Sequence, residues 1–106
     1  MNAPDRKLSK KPIDELTAMR LAELFRALSD TSRVRLISAL SYGEMNVRNL
    51  AQAAGISESA ASHQLRGLRL MRLVKSRKVG REVFYCLDDR HISDLFRRGL
   101  DHVTHG

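Results

Sequence analysis

Leu50-Ala51-Gln52-Ala53-Ala54-Gly55-Ile56-Ser57, followed by Ala61 and Leu65, is the stretch on which the fold turns. Ala51 is small, as a residue must be where two helices cross closely. Gly55 breaks a short helix running from about Val47 to Ala53 and permits a tight turn. Ser57 can then cap a second helix reaching about Leu70, with Glu58 in its first turn, where the helix dipole favours an anion. Ile56, Ala61 and Leu65 are expected to point inward and hold this second helix against the first. Its free face carries Ser59, Ser62, His63 and Arg66. The pattern predicts a helix-turn-helix whose second helix suits the edges of bases in a major groove.

Downstream, the apolar pattern changes period. Val74–Arg77 and Val83–Leu87 are β-prone, with Gly80 in the turn between them, and predict a hairpin. Arg72, Lys75, Arg77, Lys78 and Arg81 place five cations within ten residues on and around it. Beside a phosphate backbone such a cluster displaces counterions and binds. A last helix is expected from near Arg90 to near Thr104. Upstream, Ile13, Leu16, Met19, Leu24, Phe25 and Leu28 recur at helical spacing. Asp30 or Ser29 can cap another helix carrying Val34, Ile37 and Leu40, ended by Tyr42 and Gly43. The expected fold is α+β and mostly α, in the order α-α-α-α-β-β-α. Residues 1–12 read as a flexible basic tail, and residues 13–106 as one domain.

Composition agrees with that size and bias. The chain has 106 residues, 19 Lys and Arg against 12 Asp and Glu, and a net charge of +7. A surplus this large on one small domain points to a polyanion partner, with plain solubility as the other reading. Cys86 is the only cysteine, which excludes an intrachain disulfide or a thiolate cluster and suits a reducing cytoplasm. No stretch approaches the roughly 18 apolar residues of a membrane span, and Met1–Pro12 lacks the apolar centre of a secretory signal.

Three of the four histidines, His91, His102 and His105, lie in the last predicted helix, with Asp89 just before it. At about 100° per residue, His102 lies about 20° from His91 around the axis and His105 about 40° the other way. The rings form one stripe beside an apolar face of Ile92, Leu95, Phe96, Gly99, Leu100 and Val103. Asp89 and His102 are 13 residues apart, roughly 20 Å along a helix, while a zinc–ligand bond is about 2 Å. One ion cannot take all four groups from one chain. A second, antiparallel copy of the helix would place Asp89 and His91 of one subunit beside His102 and His105 of the other, giving two identical sites per dimer. Three nitrogens and one carboxylate oxygen suit zinc(II), with cobalt(II) a second ion such donors accept. Spacing alone leaves simple solvation of these histidines as the other reading.

Ser57-Glu-Ser-Ala-Ala-Ser-His-Gln-Leu65, Leu68-Arg-Leu-Met-Arg-Leu-Val74, Arg77-Lys-Val-Gly-Arg81 and Val83-Phe-Tyr85 together resemble the ArsR/SmtB family of metal-sensing repressors. Ala27-Leu-Ser-Asp-Thr-Ser-Arg-Val-Arg35 resembles the family's second-helix opening, and the likeness runs from about Leu24 to His105. One class of that family binds soft metals through two cysteines in the third helix. The matching stretch here, Glu44-Met-Asn-Val-Arg-Asn-Leu50, carries Asn46 and Arg48 at those positions. The other class uses Asp-x-His, ten intervening residues, then His-x-x-His. Asp89-Arg-His91 and His102-Val-Thr-His105 match all four positions, so the resemblance implies the zinc-sensing branch.

The resemblance further implies a winged helix-turn-helix homodimer joined through its N- and C-terminal helices. Its DNA-contacting residues would be Ser57, Ser59, Ser62, His63, Gln64 and Arg66 on the recognition helix, with Arg77, Lys78 and Arg81 on the wing. The free ring nitrogen of His102 would bond a backbone carbonyl near Arg72, at the end of that helix. The function implied is a cytoplasmic repressor that holds an inverted-repeat operator when metal-free and leaves it on binding zinc. Neither an enzyme nor a small-molecule substrate is expected, because four protein ligands leave a zinc ion no open position for hydrolysis. The competing expectation is a winged-helix regulator with structural metal or none.

Overall fold

The computed structural model describes residues 11–105. Almost all of the expected basic tail, residues 1–10, lies outside them. Five helices and three short strands follow: α1 (Glu15–Ala27), α2 (Thr31–Leu40), β1 (Met45–Asn46), α3 (Val47–Ala54), α4 (Glu58–Leu70), β2 (Val74–Val79), β3 (Glu82–Leu87) and α5 (Arg90–His105). Four of the helices, α2 to α5, start on a side-chain oxygen that accepts an orphan amide, Asp89 doing so for α5. Asp30 takes the Arg33 amide at 3.1 Å, Asn46 the Asn49 amide at 2.9 Å, and Ser57 the Ala60 amide at 3.0 Å.

The two helices of the helix-turn-helix end in the same way. At the end of α3, Gly55 has φ +70°, Ile56 donates to the Ala51 carbonyl at 3.0 Å and Gly55 to Gln52 at 3.2 Å. At the end of α4, Leu73 donates to Leu68 and Arg72 to Arg69, both at 3.0 Å, with Arg72 at φ +62°. Both are left-handed caps that satisfy the last carbonyls of a helix. Glycine adopts this conformation freely, whereas an L-residue with a Cβ is disfavoured there by roughly 1–2 kcal/mol. Arg72 is the only non-glycine with positive φ among the described residues.

The core lies where α2, α3 and α4 meet the sheet. Leu36, Ile37, Leu50, Leu65, Leu68 and Val74 are fully buried, as is Ala61 at the helix crossing. Ile56 is half-buried and packs at its edge. The hairpin is longer than expected, because Lys78, Val79 and Glu82 extend the pairing to the turn at Gly80. β1 was not expected. It pairs Met45 with Tyr85 and Asn46 with Phe84, giving a three-stranded sheet in the order β1-β3-β2. Two residues leave no alternation to detect, so only the tertiary pairing reveals this strand.

The outer helices engage the core only partly. In α1, Ala27 is buried and Leu24 packs on the core, while Leu16, Met19 and Phe25, like Ile13 just before the helix, remain exposed. In α5, Ile92 is buried and Phe96 packs beside it, but Leu100 and Val103 are exposed. The apolar face expected of the last helix is therefore covered within one protomer only at its N-terminal half. Between α1, α2 and α5 runs an apolar groove of about 340 Å³, floored by Ile37 and Ile92 and edged by Phe25, Phe96, Leu100 and Val103.

Candidate DNA interface and metal-ligand cluster

Helix α4 and the β2–β3 hairpin frame two clefts. The larger, about 460 Å³, is lined by Asn46, Arg48, Ser59, Ser62, Arg81 and Glu82 among others. The second, about 300 Å³, brings Ser62, Arg66 and Arg69 of the helix to Arg77 and Lys78 of the hairpin. Ser59 and His63 are exposed, and Arg66 reaches back to donate to the Ser62 hydroxyl at 3.0 Å. The helix thus presents a short-chain polar strip flanked by cations, which suits close approach to base edges with phosphates alongside.

Two expected members of this face are placed differently. Ser57 is committed to capping α4. Gln64 is half-buried, with its Oε1 buried and without a partner among the described residues. It sits on the flank of the strip. Arg48 and Arg69 also line the clefts, and neither was expected on this face from the sequence. Arg48 stands on the first helix of the motif, and Arg69 follows Arg66 on the next turn of the second.

Arg77 is held within the protein. Its Nε donates to one oxygen of Glu44 at 2.7 Å and its Nη2 to the other at 2.8 Å. Its guanidinium carbon lies 5.5 Å from the centre of the Phe84 ring. The bond from Arg77 holds the Glu44 carboxyl below the usual carboxylate range, and Glu44 in turn raises the Arg77 guanidinium. Lys78 and Arg81 are exposed near the hairpin tip.

The four metal-ligand candidates sit at the two ends of α5. At its start, Asp89 Oδ1 accepts the amides of His91 at 2.8 Å and Ile92 at 3.4 Å, and lies 3.3 Å from His91 Nδ1. At its end, His105 Nδ1 lies 3.5 Å from Asp101 Oδ1 and 3.4 Å from Thr104 Oγ1. His102 is exposed on the same last turn. Among the described residues no three His, Cys, Asp or Glu side chains converge on one point. One protomer therefore offers two half-sets of donors, an aspartate with a histidine and a pair of histidines one turn apart. Nitrogen and carboxylate donors of this kind suit zinc or cobalt, provided a second chain completes the set.

Five helices around a three-stranded wing, with a helix-turn-helix at the centre, define a winged helix-turn-helix DNA-binding domain. The model of the bacterial regulatory protein arsR family matches residues 30–76. The transcriptional repressor SmtB homolog of a Synechocystis strain is 55% identical over 86 residues, covering 81% of this chain and 65% of that protein, just under two thirds of its length. A cadmium resistance transcriptional regulatory protein, a CadC homolog from Staphylococcus aureus, is 38% identical over 95 residues, covering 89% and 78%. A homodimeric winged helix-turn-helix domain from Mycobacterium bovis, described as a possible ArsR-family regulator, superposes with a TM-score of 0.74 at 25% identity, covering 92% and 95%. The chain belongs to the ArsR/SmtB family: it is a transcriptional regulator and not an enzyme. Among the described residues no helix is long and apolar enough to cross a membrane.

Proposed function

We propose that the protein is a metal-sensing repressor of the zinc-responsive kind, acting as a cytoplasmic homodimer. Metal-free, it holds an inverted-repeat operator, one recognition helix per half-site. It releases the duplex when Asp89 and His91 of one subunit and His102 and His105 of the other close on Zn(II), two ions per dimer. Cobalt(II) fits the same donors.

The observation that carries this reading is the division of the ligands between the ends of α5, with exposed Leu100 just before the second pair and exposed Val103 between its two histidines. That layout suits a two-fold partner whose antiparallel helix covers the apolar stripe and supplies the missing half of each site. The groove between α1, α2 and α5 gives such a partner an apolar seat. Support for dimerisation also comes from the homodimeric Mycobacterium bovis domain.

Release needs only that zinc bind free protein better than DNA-bound protein, and DNA then weakens zinc binding by the same factor. The cap at Arg72 is the expected receiving end: its carbonyl takes no part in the two bonds that close α4, and the resemblance pairs it with His102. A duplex selected from a random-sequence library by the metal-free protein tests the proposal. Zinc titration should dissociate the wild-type complex and leave the His105→Ala complex intact. If chelation unfolds or monomerises the protein instead of tightening its hold on DNA, the metal is structural and the reading fails.

A further inference from the structure

Arg77 spans the full width of the sheet. It starts on β2, passes over Phe84 of the central strand β3, and ends on Glu44, which immediately precedes β1. The register explains how. Arg77 and Asn46 both lie opposite Phe84, so all three side chains project from one face. Strands are about 4.8 Å apart, and an arginine is long enough to cross one neighbour and reach the next. Alternation puts Ser76 and Lys78 on the opposite face.

A second bond runs parallel to the first. Asn46 Nδ2 donates to Glu82 Oε1 at 2.6 Å, while Asn46 Oδ1 caps α3. Glu44 and Asn46 together hold both arms of the hairpin, Arg77 on β2 and Glu82 on β3. The same asparagine starts the first helix of the DNA-binding motif. The wing is thus fastened to the helix-turn-helix by two side-chain bridges at the base of its tip.

We propose that Arg77 is a positioning residue for DNA binding. Its fork is occupied by Glu44 and sets the angle of the wing, while Lys78 and Arg81 beyond it reach the phosphates. The inference rests on the DNA-binding reading and divides the wing's cations into one that aims and two that touch. A bidentate arginine–carboxylate pair has a fixed plane that a lysine cannot reproduce. The pair is partly exposed, with side-chain exposures of 62% for Arg77 and 32% for Glu44, so its effect is modest and lies in orientation.

The test compares variants of the full-length protein on the library-selected duplex, reading affinity against salt. Electrostatics alone says that removing a carboxylate beside DNA tightens binding. Positioning says the reverse: Glu44→Gln and Arg77→Lys should each weaken the dimer by about tenfold, roughly threefold per wing. The salt slope should hold, and the double variant should be no worse than either single one. Lys78→Ala should instead lower the slope by about one per wing. Tighter or unchanged binding by Glu44→Gln, with a slope drop of about one per wing in Arg77→Gln, would make Arg77 a phosphate ligand and overturn the proposal. Unchanged affinity and slope in every variant, Lys78→Ala included, would remove the wing from the interface and the proposal with it, while leaving the recognition helix untouched. A broadened Arg77 Nε–H resonance in folded Glu44→Gln, set against a sharp one in wild type, gives a reading of the clamp without DNA.

Discussion

The amide of Asp88 donates a 3.0 Å hydrogen bond to the carbonyl of Leu73. Leu73 follows Arg72 at the end of the recognition helix, and Asp88 precedes the candidate ligand Asp89. Within one protomer a backbone bond therefore joins the segment just after α4 to the segment just before α5. A second link to the same corner is expected across the dimer, from His102 to the Arg72 carbonyl. His102→Gln should bind the duplex within about twofold of wild type when metal-free, yet lose zinc-driven release. Typical couplings of about 1–3 kcal/mol correspond to a 5–150-fold weakening in wild type. Paired titrations of DNA affinity with and without zinc measure this. A His102→Gln protein that zinc releases as readily as wild type excludes the link.

Gly55 and Arg35 make a stability prediction. Gly55 holds φ +70°, and a Cβ there would sit 3.3 Å from Arg35 Nη1, which donates to the Ala54 carbonyl at 3.2 Å. Gly55→Ala meets backbone strain and crowds the arginine that closes the end of α3. It should destabilise the protein by about 1–2 kcal/mol in urea unfolding. At Arg72, in the same cap geometry, Arg72→Gly should be neutral or mildly stabilising, because lost strain offsets added chain entropy. Equal destabilisation at both positions would mean that backbone conformation is not what distinguishes them.

How much could be read from the sequence divides along physical lines. The helix-turn-helix was legible because its signals are local: Gly55 at the turn, Ser57 at the cap, and Ala61 and Leu65 at helical spacing. That His91, His102 and His105 share one helix was legible because helical periodicity shows in the sequence. β1 was not, since a strand of two residues exists only through its pairing with Tyr85 and Phe84. Arg77 was read as a DNA contact because charge shows in sequence, while the acceptor at Glu44, 33 residues away, does not. The inward turn of the Gln64 oxygen was hidden for the same reason.

The apolar groove predicts the consequence of losing the second subunit. Phe25, Leu100 and Val103 are exposed in the protomer and edge the groove. Burial of apolar area stabilises by about 25 cal/mol per Å², and a buried, unpaired charge opposes it strongly. Val103→Asp should convert the dimer to a monomer in sedimentation and weaken DNA binding at least as much as losing one half-site contact. A dimer of undiminished stability would place the interface elsewhere on the surface.

Glu44 supplies a pH prediction whose sign follows from its partner. Its carboxyl titrates below the ordinary glutamate value, chiefly because Arg77 donates to it. A lowered carboxylate pKa means that the ion pair is fully present above the ordinary glutamate range and is lost as pH falls through the lowered value. The clamp should therefore be intact throughout the neutral range and open only in acid. The carboxyl carbon of Glu44, followed by NMR, should titrate below 4.5 in wild type and move up toward that value in Arg77→Gln. The neighbouring bridge joins Glu82 to the neutral Asn46 amide, so it adds no opposing cation to Glu44. An unchanged Glu44 titration in Arg77→Gln would show that the fork does not hold the carboxylate in solution, and the wing would then lack the anchor that sets its angle.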